Sequence, residues 1–197
     1  HGSIRRQRQM CIRDRRKASN MFFKQFPIIP YDSKGTGEFK NVTNLLRRVA
    51  IREKVKINTS FFDTYDVKNG DTPESIAFKL YGDAELHYVV MIVNDITDRF
   101  HDWPMTEAQF NSYVTEKYGD TLFSGIHHYE ITQTSGDTKV KIDIGESNTD
   151  FPSATPVTNY EYEVREQDRK RKIRLLDPSF VDAFVDEHRK LMKESVI

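Results

Sequence analysis

Between Tyr65 and Asn94 the chain reads YDVKNGDTPESIAFKLYGDAELHYVVMIVN, and local geometry constrains nearly every position of that run. Thr64 to Val67 is a short β-branched and aromatic stretch suited to a strand, and Asn69-Gly70 supplies the positive-φ positions of a tight turn. Thr72 is placed to cap a helix, with Pro73 at its first position, where a missing N–H costs nothing, and Glu74 near the positive end of the helix dipole. Ile76, Ala77 and Leu80 then give that helix one apolar face, and Tyr81-Gly82 ends it. Asp83 is placed to cap a second helix. Its Leu86, Val89, Val90 and Val93 fall at i, i+3, i+4 and i+7, an apolar stripe that Asn94-Asp95 terminates. The expected order is strand, turn, helix, tight joint, helix.

That order resembles the LysM module in Val67, Gly70-Asp71-Thr72, Ser75-Ile76-Ala77, Tyr81-Gly82 and Asn94. The resemblance implies a ligand groove between the loop after the first strand and the loop after the second helix, which places Asn69, Gly70, Asp71, Thr72 and Asn94 as groove residues for peptidoglycan or chitooligosaccharide. LysM modules continue with a second strand that closes a two-stranded sheet. Here the continuation is ITDRFHDWPMTEAQFNSYV, which lacks the usual short Pro-, Gly- and Ile-rich segment.

Hydrophobic residues make up 37% of the 197 positions, and exchanging nine Tyr for nine Gly in the count leaves that share unchanged. It falls below the ~45–50% of an ordinary globular domain, so the core is thin. With 30% charged and 12% aromatic residues, such a chain is suited to completing its burial against partners. The net charge is zero, which gives no reason to expect nucleic acid or an anionic membrane as a partner. Seven basic residues against one acidic crowd into positions 1–17. The run RQRQMCIRDR there reads as translated adapter sequence and Met21 as a natural start, so residues 1–20 are expected to be a non-native or disordered leader outside the fold. The single cysteine, Cys11, lies in that stretch, which leaves the rest without disulfide or thiolate chemistry. No apolar run approaches the ~18 residues of a membrane span, and a soluble product assembled inside a cell is expected.

Residues 21–60 are expected to form an N-terminal arm and a short helix. The arm, MFFKQFPIIPY, is dense in Phe and Pro, and its prolines disfavour both a helix and a central strand. Such a segment needs a groove, on its own chain or on a neighbour. A helix is expected over Val42–Ile51, with Leu45, Leu46 and Val49 apolar, and an extended run over 55–62. Residues 61–120 comprise the LysM-like region and a following helix to about Tyr118, opened by a Thr106–Gln109 capping box. Residues 121–197 comprise a hairpin, Ile126–Ile131 with Lys139–Ile144, a loop over 145–159, a polar helix over 160–170 and a last helix after Asp177-Pro178. On that helix Val181, Phe184, Val185, His188, Leu191 and Met192 form one stripe. The fold class is α+β: a small strand–helix–helix core with an extended arm, a β-hairpin and a C-terminal amphipathic helix.

Taken together, MFFKQFPIIPY, LYGDAELHYVVMIVND, the Trp103 segment and REQDRKRKIRLLDPSFVDAFVDEHRKLM resemble the baseplate wedge subunits of T4-like contractile-tailed phages, the gene product 53 family. The resemblance implies a structural virion protein of the tail baseplate, assembled in the host cytoplasm and joining neighbouring wedges. It further implies contacts with the wedge core subunits and the sheath-initiating protein, and no cofactor, metal, nucleic acid or membrane. Docking anchors are then expected at Phe22, Phe23, Phe26 and Tyr31 of the arm and at Phe180, Phe184 and Leu191 of the last helix.

An enzyme is the first rival reading. His127-His128 invites a metal or general-base role, but neighbours in a regular strand point to opposite faces, so at most one is expected to face a given site. No His-Glu-x-x-His motif or paired-carboxylate constellation accompanies them. The four basic residues Arg169 to Lys172 fit a solvated or acid-facing surface better than a nucleic-acid site.

Overall fold

The structure is a computed structural model that describes residues 22–194; the basic stretch 1–20 and the expected start at Met21 lie outside the described residues. In chain order the elements are β1 (Ile28–Tyr31), β2 (Lys40–Thr43), the single turn α1 (Glu53–Lys56), β3 (Phe62–Asp66), α2 (Pro73–Tyr81), α3 (His87–Val93) and α4 (Glu107–Tyr118). There follow β4 (Ile126–Ser135), β5 (Thr138–Asp143), β6 (Thr155–Thr158), α5 (Asn159–Arg171), β7 (Lys172–Leu176) and α6 (Pro178–Glu194). This is the expected α+β class, with three small sheets: β1-β2, β3-β7 and β5-β4-β6.

The chain divides into two compact units. The first holds the described residues up to Tyr65, then Asp71–Arg99 and everything from Ile173 onward; the second holds Asp66–Gly70 and Phe100–Lys172. The long second segment is thus an excursion of the chain between α3 and β7.

In the first unit the local signals act as their chemistry dictates. Thr72 and Ser75 form a reciprocal capping box, Ser75 N–H donating to Thr72 Oγ1 at 3.2 Å and Thr72 N–H to Ser75 Oγ at 2.9 Å, with Pro73 at the first helical position. Gly82 ends α2 in the left-handed conformation, φ 74°. Ile76 and Ala77 are buried, as are Leu86, Val89, Val90 and Val93 of the joint and α3. Leu80, expected inward, lies at the rim, 37% exposed. β7 alternates in burial, with Ile173 and Leu175 inward between exposed Lys172 and Arg174, and Val181, Val185 and Met192 of α6 complete the core.

The strand that pairs with β3 is β7, so the first unit runs strand, helix, helix, strand, with the last member arriving only after the excursion. Tyr81 Oη donates to Leu176 C=O at 3.0 Å, and burial pushes this phenol up to about 12. Asn94 grips the middle of the strand. Its Nδ2 donates to Arg174 C=O, its Oδ1 accepts from Arg174 N–H, and Nδ2 also reaches Val90 C=O, each at 2.8 Å.

Two expectations for residues 42–62 are corrected. Val42–Ile51 is not a helix: β-branched Val42 and Thr43 pair with Ile29 and Ile28 in β2, and the Asn44 side chain accepts from Leu46 N–H, turning the chain. The stretch 55–62 is not extended. α1 and a 3-10 turn over Thr59–Phe61 occupy it, because Asn58 caps that turn by accepting from Ser60 N–H at 3.1 Å.

In the second unit, α4 opens with the expected Thr106–Gln109 box and buries Phe110 and Val114 with Leu122. The hairpin forms in the expected place, Ser135 opposite Thr138 across Gly136-Asp137. The loop expected over 145–159 contains β6, whose Val157 is fully buried. Adjacent histidines also depart from expectation. A register shift between Ile126 and His128 breaks the alternation of β4, and the two Nδ1 atoms of His127 and His128 come within 3.0 Å. His127 stacks on Tyr162 at 3.7 Å, and His128 Nε2 lies 3.3 Å from Glu130.

Candidate docking surfaces

The Phe-rich arm does not hang free. Phe22–Gln25 forms a 3-10 turn laid against α3 and α6. The Phe22 ring stacks on Tyr88 at 5.1 Å and meets Phe26 edge-on at 5.0 Å. Gln25, 3% exposed, moors the arm: its Nε2 donates to Tyr88 Oη at 3.2 Å, and its Oε1 lies 2.7 Å from His188 Nδ1. An amide oxygen only accepts, so Nδ1 carries the proton. A crevice of about 530 Å³ opens beside this turn, bordered by Phe23, Leu45, Met91 and Ile96.

Burial makes His188 costly to protonate. Burial chiefly, and the adjacent Arg189 charge secondarily, hold the His188 pKa below its usual 6.5. The folded chain therefore binds fewer protons than the unfolded one just below that value, so His188 costs nothing at higher pH and stability falls as pH drops through the unfolded pKa. Comparing pH 7 with pH 5, the wild type should lose more stability in chemical denaturation than His188→Gln. Equal losses would show that this histidine does not couple.

The anchors expected from sequence divide into two groups. Phe22, Phe26 and Phe184 are half-buried, Phe184 lying 6.4 Å from His188. Phe23 is 67% exposed, Tyr31 55%, and Phe180 and Leu191 40% each. Phe180 still packs edge-on against Phe61 at 4.9 Å. Sequence reasoning missed Phe39, Leu45 and Leu46, exposed on either side of β2; the helix expected over Val42–Ile51 hid the two leucines.

The groove residues named by the LysM resemblance are engaged within their own units. In the second, Asn69 Oδ1 accepts from Glu107 N–H at 3.1 Å, and Gly70 takes φ 84°. In the first, Asp71 accepts from Tyr65 Oη at 2.8 Å and from Lys79 Nζ at 2.7 Å. Thr72 caps α2, and Asn94 holds β7. Asp95 follows it at φ 56°, the one described non-glycine residue with a positive φ. The nearly buried Lys56 holds it, its ammonium raised above the usual range chiefly by the bond to Asp95.

Among the described residues no three His, Cys, Asp or Glu side chains converge as metal ligands, and no helix is long and apolar enough to cross a membrane.

The family model of base plate wedge protein 53 matches residues 21–142, which takes in the arm, α1 to α4 and the hairpin to within one residue of its end. The chain belongs to this family. A curated relative, baseplate wedge protein gp53 of Enterobacteria phage T4, is 23% identical over 185 residues, covering 87% of this chain and 89% of its own length. A structural role in the baseplate wedge of a phage tail follows from this membership. Phe23 and Tyr31 of the arm fall inside the matched range, whereas α5, β7 and α6 lie beyond it.

Proposed function

We propose that this chain joins neighbouring baseplate wedges through protein–protein contacts, with the outward side chains of the arm and of α6 as anchors. The observation that supports this most is the exposure of Phe23, Tyr31, Phe180 and Leu191 on segments whose other aromatic residues are spent on mooring. Large exposed apolar surface on a virion structural protein is surface awaiting a partner, and aromatic anchors carry most of an interface's energy. The partners we assign are the wedge core subunits and the protein that initiates the sheath, with the outward side chains of the arm and of α6 engaging different neighbours and gaining from effective concentration. The strand–helix–helix–strand unit, which we read as LysM-like, then serves as a rigid scaffold. Asp71, Thr72 and Asn94 spend their polar groups inside that scaffold, so glycan recognition forms no part of the proposal.

The test is co-expression with the other wedge proteins of the same virion. Phe23→Ser combined with Tyr31→Ser should leave single wedges intact and reduce their joining into rings at least tenfold by negative-stain counting. Unchanged ring formation would refute the arm as an anchor.

A further inference from the structure

The β1–β2 ladder is a two-stranded sheet with no third strand on either side among the described residues. Such a pair is marginal by itself, and burial does little for this one: all four residues of β2 and three of the four in β1 are exposed. The register determines which outer edge is open. Asn44 N–H donates to Pro27 C=O at 2.9 Å, and Ile28 faces Thr43, Ile29 Val42, Pro30 Asn41 and Tyr31 Lys40. The alternation of an antiparallel ladder then makes Ile29–Val42 and Tyr31–Lys40 the bonded pairs. The backbone groups of Ile28 and Pro30 turn outward on β1, and those of Asn41 and Thr43 on β2. Pro30 has no N–H to offer, so the outer edge of β1 is blunted at its centre. The outer edge of β2 keeps both donors and both acceptors, between exposed Phe39 on one side and exposed Leu45 and Leu46 on the other.

Charge points to the occupant. Residues 22–56 carry eight basic and three acidic side chains, while residues 57–197 carry 15 basic and 26 acidic. A second copy pairing its own β2 edge here would set like charge against like charge.

We propose that the outer edge of β2 accepts a strand from another protein, one that alternates acidic and apolar residues, as the third member of this sheet. Asn41 and Thr43 exchange backbone hydrogen bonds with it, Phe39, Leu45 and Leu46 receive its apolar side chains, and the basic segment neutralises its carboxylates. This rests on the reading that the chain acts through contacts with other baseplate proteins, and it specifies one of them by chemistry.

The experiment is amide exchange by NMR on the full chain, with two synthetic seven-residue peptides at millimolar concentration: alternating Glu and Val, and alternating Lys and Val. The Glu peptide should slow exchange at Asn41 and Thr43 at least tenfold, and the Lys peptide should not. Thr43→Pro removes an outward-facing N–H and fixes φ at that position, so it should abolish the protection at Asn41 while the amides of the bonded pair Ile29 and Val42 keep their exchange rates, which shows the ladder intact. Protection by both peptides would overturn the charge selection. Protection by neither would overturn the edge, whatever wedge joining shows with the Phe23 and Tyr31 variants. Protection that grows with protein concentration alone would assign the edge to a second copy instead.

Discussion

Asn94→Ala should destabilise the first unit by about 3 kcal/mol, the sum of three side-chain bonds at ~1 kcal/mol each. The Asn94 amide imitates a peptide group. It bonds both the N–H and the C=O of Arg174 and anchors itself on Val90 C=O, all at 2.8 Å. Alanine removes all three bonds, and β7 keeps its pairing with β3, the Tyr81 hydroxyl, the Arg174 guanidinium on Lys56 C=O and its buried side chains to hold it. Asn94→Asp is the sharper probe. It retains one acceptor for Arg174 N–H but replaces the amide donor with an oxygen facing two carbonyls, so it should cost at least as much as alanine despite its size. Denaturation midpoints give the magnitude. Amide exchange gives the location: residues 62–66 and 172–176 should open, while α4 and α5 stay protected. Unchanged exchange in β7 would mean that Ile173, Leu175 and Leu176 hold the strand by burial alone.

The same residue shows where sequence reading stops. Asn94 was legible as a helix terminator because termination is local: an apolar stripe ends at a residue that favours turns. That its amide would grip Arg174 was not, since the partner lies 80 residues on and nothing in either segment's periodicity names the other. The Thr72 and Thr106 caps, the Gly136-Asp137 turn and the stripe on α6 belong to the first kind; each is decided within one or two helical turns. The failed helix over 42–51 belongs to the second. Leu45, Leu46 and Val49 have helical spacing, but Val42 and Thr43 are claimed by β1, and pairing with a distant segment overrides local preference. Of the candidate site, Phe23 and Tyr31 were readable as surplus apolar residues. Leu45 and Leu46 became visible as surface only once β2 replaced that helix. The touching pair His127 and His128 depends on a bulge, which one strand's sequence does not announce.

Glu163→Ala should unsettle the second unit by about 3 kcal/mol, the order expected when one member of a buried charged cluster is removed. Glu163 is 5% exposed, on a helix otherwise so polar that sequence alone makes it a solvated face. Its Oε1 accepts from Lys117 Nζ at 2.7 Å and Tyr118 Oη at 2.8 Å, with Tyr113 Oη at 3.5 Å. Lys117 also sits 5.0 Å from the centre of the Tyr118 ring. One carboxylate thus ties α4 to α5 at three points beside the Phe110–Val114–Leu122 cluster. Burial alone would raise the Glu163 pKa, but the bonds from Lys117 and Tyr118 outweigh it and the value falls below the usual carboxylate range. With the folded pKa below the unfolded one, the contribution is complete above the unfolded value of ~4.3 and disappears as pH falls through the folded pKa. Lys117→Met should cost less, about 1 kcal/mol, because its side chain is 45% exposed and Tyr118 still satisfies the carboxylate. The double variant should be less destabilised than the sum of the two, since neither charge is then left alone. Strict additivity in that cycle would show that Lys117 and Glu163 act independently, and the acid dependence assigned to their pairing would then have to come from another carboxylate.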